Sequence, residues 1–328
     1  RHLGTLDEGR AWFEGHPGAI YLHAGQSYLS LDLDTEERVV LLEPTRADHF
    51  TQVFASKETE ILERLDERTL GAARVSLGRL RVTTTIEGYA KKRLFTQDEI
   101  SRHPLEGAPP QVLETMGFWF TFPEGILARL VDDERHPFGA LHAMEHAAIG
   151  LFPLLAICDR WDLGGISYAR HPQQDGPSVF VYDGYAGGVG LARTGFARAE
   201  QLVTRTREHV AACSCEDGCP ACVISPKCGA GNHPLDKLGA VELLEYLEGS
   251  RELVVLEGRE EDVARALSSH RSRVHTGVRG GGQFEVAGQA RQASATESGP
   301  PSRESGGDPA APSWPGGLAL PADLLREE

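Results

Sequence analysis

The sequence predicts an α+β fold, and three observations predict it. Short alternating apolar runs fill the first hundred residues, and longer helical patterns follow Met116. Five cysteines crowd into the sixteen residues from Cys213 to Cys228. Together they imply a β-rich N-terminal domain over 1–114, a zinc-stapled α/β domain over 115–256 and a disordered C-terminal tail over 257–328.

The strands come first. Ala19–Leu22, Tyr28–Leu33 and Arg38–Leu42 are short apolar or alternating runs separated by turn-like Ala24-Gly25-Gln26 and Asp34-Thr35-Glu36. Ile61, Leu62, Leu65 and Leu70 fall near helical spacing, so Glu58–Leu70 is expected to be a helix. Arg74–Tyr89 alternates again and predicts one long strand or two paired antiparallel strands. Beyond it, Met116–Phe122 reads as a strand and Phe138–Cys158 as an apolar helix or helix pair broken at Pro153. Ile166–Ala169 and Val179–Tyr182 are further short strands. Gly190–Ala212 predicts one amphipathic helix leading into the cysteines. Leu235–Leu247 predicts a closing helix with Leu238, Val241, Leu244 and Leu247 on one face. After about Val274 the composition turns to Gly, Ser, Pro and Gln, which predicts disorder except over the short apolar stretch Leu318–Leu325.

Composition narrows the function classes. The 328 residues suffice for two ordinary domains, and 40% apolar and 25% charged residues are typical of globular proteins. The longest apolar candidate, Ala147–Ile157, is too short to cross a bilayer. With no basic-then-apolar leader, a cytoplasmic location and no membrane partner are expected. An opening Arg1 in place of Met suggests a piece of something longer. The net charge of −15 argues against a broadly basic, phosphate-gripping surface.

The clustered cysteines read as metal ligands rather than a disulfide framework. Zinc takes four tetrahedral thiolate or imidazole ligands, and a Cys-x-x-Cys step brings two thiolates to one ion. Cys219 and Cys222 supply that step, with Gly218 and Pro220 suited to a tight knuckle. Cys213, Cys215 and Cys228 compete for the remaining positions. The favoured set is Cys213, Cys215, Cys219 and Cys222, with Cys228 or His233 as a substitute. Four protein ligands close the coordination sphere, so the zinc is expected to be structural. Cys158 reads as a small buried side chain.

Two other patterns resemble catalytic or binding signals. His142-Ala-Met-Glu145-His146 has the H-x-x-E-H arrangement of inverted-motif zinc proteases, with both imidazoles on one helical face. The competing reading is a polar stripe satisfied by neighbouring loops, and no residue is assigned as catalytic. Asp183-Gly184-Tyr185-Ala186-Gly187-Gly188-Val189-Gly190 sits between a strand and a helix, where backbone amides can cradle an anion. Glycines also serve plain tight turns. The only lysines are Lys57, Lys91, Lys92, Lys227 and Lys237, and none follows a glycine. A G-x-x-x-x-G-K-[ST] phosphate loop is therefore impossible in this sequence.

Several stretches, in order, resemble the zinc-binding domain of mitomycin-repair-factor-type superfamily 2 (DEAD/DEAH-box) DNA helicases. They are His142–His146, Cys158-Asp159-Arg160 through Gly164-Gly165, Tyr182–Gly188 and Cys213–Lys237, including Pro226-Lys227-Cys228 and Pro234-Leu235-Asp236. The resemblance covers roughly residues 115–250 closely and the first hundred more loosely. It implies an accessory and zinc-binding region of an ATP-dependent DNA-repair helicase that braces the motor and guides single-stranded DNA. It also implies zinc among Cys213, Cys215, Cys219 and Cys222, with ATP and Mg2+ handled only by motor domains absent from this chain. DNA contact would fall on local basic and aromatic groups. These are Arg79, Arg81, Lys91, Lys92 and Arg93 around the long strand with Tyr89 for stacking, and Arg160 beside Trp161 with Tyr185. The alternatives are a zinc-dependent hydrolase using His142, Glu145 and His146, or a zinc-stabilised protein-interaction module.

Overall fold

The computed structural model describes residues 1–254, 256 and 258–269. Among these, helices run over Glu8–Glu14 (α1), Gly125–Asp132 (α2), Pro137–Leu151 (α3), Leu191–Ala197 (α4), Ala199–Ala212 (α5), Lys237–Glu248 (α6) and Glu260–Ser269 (α7). Strands run over Ile20–His23 (β1), Gln26–Asp34 (β2), Val39–Thr45 (β3), His49–Leu70 (β4), Ala73–Arg93 (β5), Glu99–Pro104 (β6), Gln111–Thr121 (β7), Leu163–Tyr168 (β8) and Ser178–Asp183 (β9). The α+β class follows. β1, β2 and β3 form a small antiparallel sheet. The remaining strands form a larger one in the order β4-β5-β7-β9-β8, with β6 paired to the far end of β5.

The expected helix over Glu58–Leu70 is instead the second half of β4, paired with β5 all the way to Leu70↔Ala73. The reason lies in two bulges. The register steps from Ile61↔Leu80 to Glu63↔Arg79, and again from Arg64↔Gly78 to Asp66↔Leu77. Leu62 and Leu65 are thus the extra residues of β-bulges, which break strict alternation and imitate a helical period. Arg74–Tyr89 lies within one uninterrupted strand, β5.

The larger sheet is covered on both faces, which explains why the centre of β7 is apolar at consecutive positions. Phe118 and Phe120 point to one face with Val75, Leu77, Val179 and Val181, and pack under the helices. Trp119 points to the other with Leu80, Val82, Phe180 and Tyr182. The Trp119 and Phe180 rings stack at 5.4 Å. The sheet takes strands from both sides of residue 115.

α3 is the central helix, buried along most of its length. Its start is fixed by Pro137 at the first turn and by His136, whose ring accepts the Gly139 amide at 3.0 Å. It ends at Leu151, where Pro153 follows in a short 3-10 turn over Phe152–Leu154. The single helix expected over Gly190–Ala212 is broken at Arg198 into α4 and α5, and the Arg198 guanidinium bonds the Leu155 carbonyl at 2.9 Å. In α6, Leu238 is exposed, and the buried face is carried by Ala240, Leu243, Leu244 and Leu247. Glu260–Ser269, inside the expected tail, is helical. The tail from 270 onward, with Leu318–Leu325, lies outside the described residues. No helix among those described is long and apolar enough to cross a membrane.

Candidate metal centre

α5 delivers the chain to Cys213 in extended backbone. Gly218, at φ +115°, then allows a reversal that a larger residue would block, because an added Cβ would meet Val223 at 2.5 Å. The turn closes with the amides of Cys222 and Ile224 donating to the Cys219 carbonyl at 3.0 and 3.1 Å. Four sulfurs converge as a result. Cys213 Sγ lies 3.5 Å from Cys215 Sγ and 3.6 Å from Cys219 Sγ, while Cys222 Sγ lies 3.5 Å from Cys215 and 3.7 Å from Cys219. Four ligands at a Zn–S distance of about 2.3 Å in a tetrahedron place their sulfurs about 3.8 Å apart, so the spacing suits zinc. The Cys219 amide donates to Cys222 Sγ at 3.2 Å, and the described cysteines are free thiols. Hydrogen bonding from Cys215, its backbone first, lowers the Cys213 thiol from its ordinary range, whereas burial raises Cys222.

Two lysines brace this region, Lys237 at the knuckle and Lys227 beside it, and neither was expected to have a role. Lys237 Nζ, from the first turn of α6, donates to the Cys213 and Cys215 carbonyls, each at 2.6 Å. Lys227 Nζ donates to the carbonyls of Arg160 (2.5 Å) and Leu163 and lies 5.8 Å above the Trp161 ring. Burial pulls its pKa down to about 8. Their sequence signal was their place in the Cys213–Lys237 stretch that carries the resemblance.

Cys228 is apart from the four-sulfur cluster. Its Sγ lies 3.3 Å from Nε2 of His142, and these two with His146 form a separate group of potential ligands. Glu145 is not in that group. Its carboxylate accepts the Ser167 hydroxyl at 2.5 Å, and burial raises its pKa to about 7. β8 comes close to α3 at this point, for a Cβ on Gly165 would meet Glu145 Oε1 at 2.6 Å. The H-x-x-E-H pattern therefore does not aim its carboxylate with its imidazoles. Burial, reinforced by His142, lowers His146 to about 4 and keeps it neutral.

The glycine loop after β9 serves itself rather than an anion. The Asp183 carboxylate accepts the amides of Val189 (2.6 Å), Gly190 (2.9 Å), Leu191 (3.3 Å) and Ala192 (2.6 Å). The amides that would bind a phosphate are already used, and Asp183 takes the place the anion would occupy.

The residues expected to contact DNA are distributed unevenly. Arg79 and Arg81 are set among carboxylates. Arg81 bonds Glu60 (2.7 Å) and Glu114 (2.8 Å), and Arg79 lies 3.8 Å from Glu63 and 3.7 Å from Glu114. Tyr89 is only 8% exposed, its ring 4.4 Å from that of His16 and 5.0 Å from that of His103, so its faces are already covered. Lys91, Lys92 and Arg93 end β5, where Lys92 Nζ donates to Gln52 at 2.7 Å. Arg160 and Tyr185 come together beside the cysteine knuckle, because Tyr185 donates its hydroxyl to Asp162 in the same 3-10 turn as Arg160. Trp161, 64% exposed, and Tyr185, 48% exposed, present open ring surface there.

A sulfur tetrahedron folded against an antiparallel sheet and a buried helix is the arrangement of a structural zinc-binding domain. The model of the MrfA Zn-binding domain matches residues 144–223, which include all four clustered cysteines and stop short of Cys228. The chain belongs to the C-terminal region of MrfA-type superfamily 2 helicases. An uncharacterized protein of Methanocaldococcus jannaschii is 42% identical over 110 residues, 33% of this chain and 98% of that protein. The uncharacterized ATP-dependent helicase YprA of Bacillus subtilis is 27% identical over 68% of this chain and 29% of its own length. The ATP-dependent helicase hrq1 of Schizosaccharomyces pombe is 24% identical over 75% of this chain and 24% of its own. The chain thus spans less than a third of the helicases it matches. A crystal structure of the DUF1998 helicase MrfA bound to DNA shares the fold, with a TM-score of 0.52 and 22% identity over 74% of this chain and 31% of that one.

Proposed function

We propose that this chain is the zinc-braced accessory region of an ATP-dependent DNA helicase acting in DNA repair, and that it guides single-stranded DNA beside the motor. The observation that carries the reading is the tetrahedral spacing of Cys213, Cys215, Cys219 and Cys222 within the matched zinc-binding segment. Zinc on these thiolates holds the knuckle, and the knuckle supports the surface carrying Arg160, Trp161 and Tyr185. Exposed rings at that place suit base stacking, and Arg160 with the Lys91–Arg93 end of β5 suits phosphate contact. ATP and Mg2+ belong to motor domains, since this sequence has no phosphate loop. Cysteines gathered as metal ligands rather than paired in disulfides suit the reducing cytoplasm.

The test is fluorescence anisotropy of labelled oligo-dT with the chain, alone and mixed with the motor domains of a matched helicase. The expected result is weak binding at low salt that fades steeply with added salt, tightens with the motor present and weakens in Trp161→Ala. No binding even at low salt, with or without the motor, overturns the DNA-guiding role.

A further inference from the structure

Outside the four-sulfur cluster, three further donors meet. His142 and His146 stand one turn apart on α3, their rings 4.3 Å between centroids, and Cys228 approaches from the loop between the knuckle and α6. One ligand atom from each lies within 4.8 Å of the others. In a tetrahedral site with Zn–S about 2.3 Å and Zn–N about 2.0–2.1 Å, sulfur and nitrogen stand about 3.6 Å apart. The observed 3.3 Å between Cys228 Sγ and His142 Nε2 is close to that.

The surroundings prepare each donor. His142 Nδ1 lies 2.9 Å from the Pro234 carbonyl and His146 Nδ1 lies 2.8 Å from the Val223 carbonyl. A carbonyl only accepts, so each Nδ1 carries a proton, which leaves Nε2 as the ligand atom of each ring in its neutral form. Nδ1–H donated to a backbone carbonyl is the outer-shell arrangement that orients metal-ligating histidines. Cys228 Sγ accepts the Asn232 amide at 3.3 Å, matching the amide-to-sulfur bond at Cys222. Asn232 is itself anchored, its side chain bonding the Ser225 amide (2.8 Å) and carbonyl (3.0 Å).

We infer that His142, His146 and Cys228 form a second zinc site, with water as its fourth ligand. Binding displaces the Cys228 proton and ties the 223–234 loop to α3. The two imidazoles and one thiolate suit a borderline-soft divalent ion such as Zn2+ or Co2+ rather than Ca2+ or Mg2+.

Metal content of the purified full chain, equilibrated with excess Zn2+ and desalted, tests this. Two equivalents are expected in the unsubstituted chain and one in Cys228→Ala and in His146→Ala. Cys228→His, which keeps a ligand, should again hold two. Cys222→Ser reports the four-cysteine site separately, so failure of one site is not read as failure of the other. A single equivalent in the unsubstituted chain, or two retained in Cys228→Ala and His146→Ala, overturns the second site. Should those variants unfold, Co2+ titration of the unsubstituted chain decides. Two spectroscopically distinct steps support the site, and one chromophore saturating at one equivalent overturns it.

Discussion

The ammonium of Lys237 and the carbonyl of Cys213 are 2.6 Å apart, which joins the first turn of α6 to the entry of the cysteine knuckle. The same ammonium reaches the Cys215 carbonyl, so one buried cation serves two backbone acceptors of the knuckle.

Lys237→Met should therefore destabilise the chain and loosen the zinc together. Leaving a partly buried acceptor without its donor costs about 1–3 kcal/mol, and two acceptors are affected. Thermal unfolding and the rate of zinc transfer to a chromophoric chelator measure the two effects. Unchanged values for both would show that the contact is incidental.

Cys219→Ser and Cys222→Ser should each lower zinc content and the unfolding temperature. Metal free energy in small zinc peptides is about 10–16 kcal/mol and is folding free energy, although the larger core here supports part of the structure without it. Elemental analysis beside calorimetry is the check. A melting curve indifferent to zinc would remove the structural role.

Asp183→Ala should cost several kcal/mol, about 3 or more, because one carboxylate accepts four amides at the start of α4. Asp183→Asn keeps one acceptor oxygen and should cost less. Urea unfolding gives both values. Equal effects of the two substitutions would mean that the site's charge rather than its geometry matters.

The two arginine groups should separate in DNA binding. Arg81→Gln removes a charge already matched by Glu60 and Glu114, and oligo-dT affinity should be nearly unchanged. Arg160→Gln should weaken binding and reduce its salt dependence by about one contact. A large loss from Arg81→Gln alone would move the DNA path to the β4–β5 hairpin.

Acid should destabilise the N-terminal part through His16, which is fully buried against Tyr89 and whose pKa burial holds below the usual value of 6.5. The folded state resists protonation and the unfolded state does not. The stabilisation is therefore complete above about pH 6.5 and is lost as pH falls through the lowered value. His16→Phe should flatten the dependence of the unfolding temperature between pH 7 and about pH 5. An identical slope in the variant would remove His16 as the cause.

Much of this was legible in the sequence because local chemistry and global structure agree. The Cys219-x-x-Cys222 step needs only a tight turn, and Gly218 and Pro220 announced one. α3 was readable from its apolar length and the Pro153 stop. What misled was long-range pairing. Leu62 and Leu65 gave a helical period because they are bulge residues, and bulges exist only relative to a partner strand. Cys228 looked interchangeable with its neighbours because spacing along the chain is silent about which helix a loop will meet. The loop at Gly187-Gly188 resembled an anion cradle because the anion, Asp183, comes from the same chain.

β7 lies hydrogen-bonded to β5 on one side and β9 on the other, from Thr84↔Gln111 through Thr121↔Ser178. It belongs to both halves of the chain at once. Cutting near residue 115 to separate a β-rich piece from a cysteine-bearing piece would divide this strand and bare a long stretch of the β5 edge, inviting self-association. The tip of the β4–β5 hairpin is likewise tied to the helical layer, where the Ala72 amide donates to the Tyr246 carbonyl of α6 at 2.9 Å. A β-rich piece cut away there would lose that anchor as well as its strand partner.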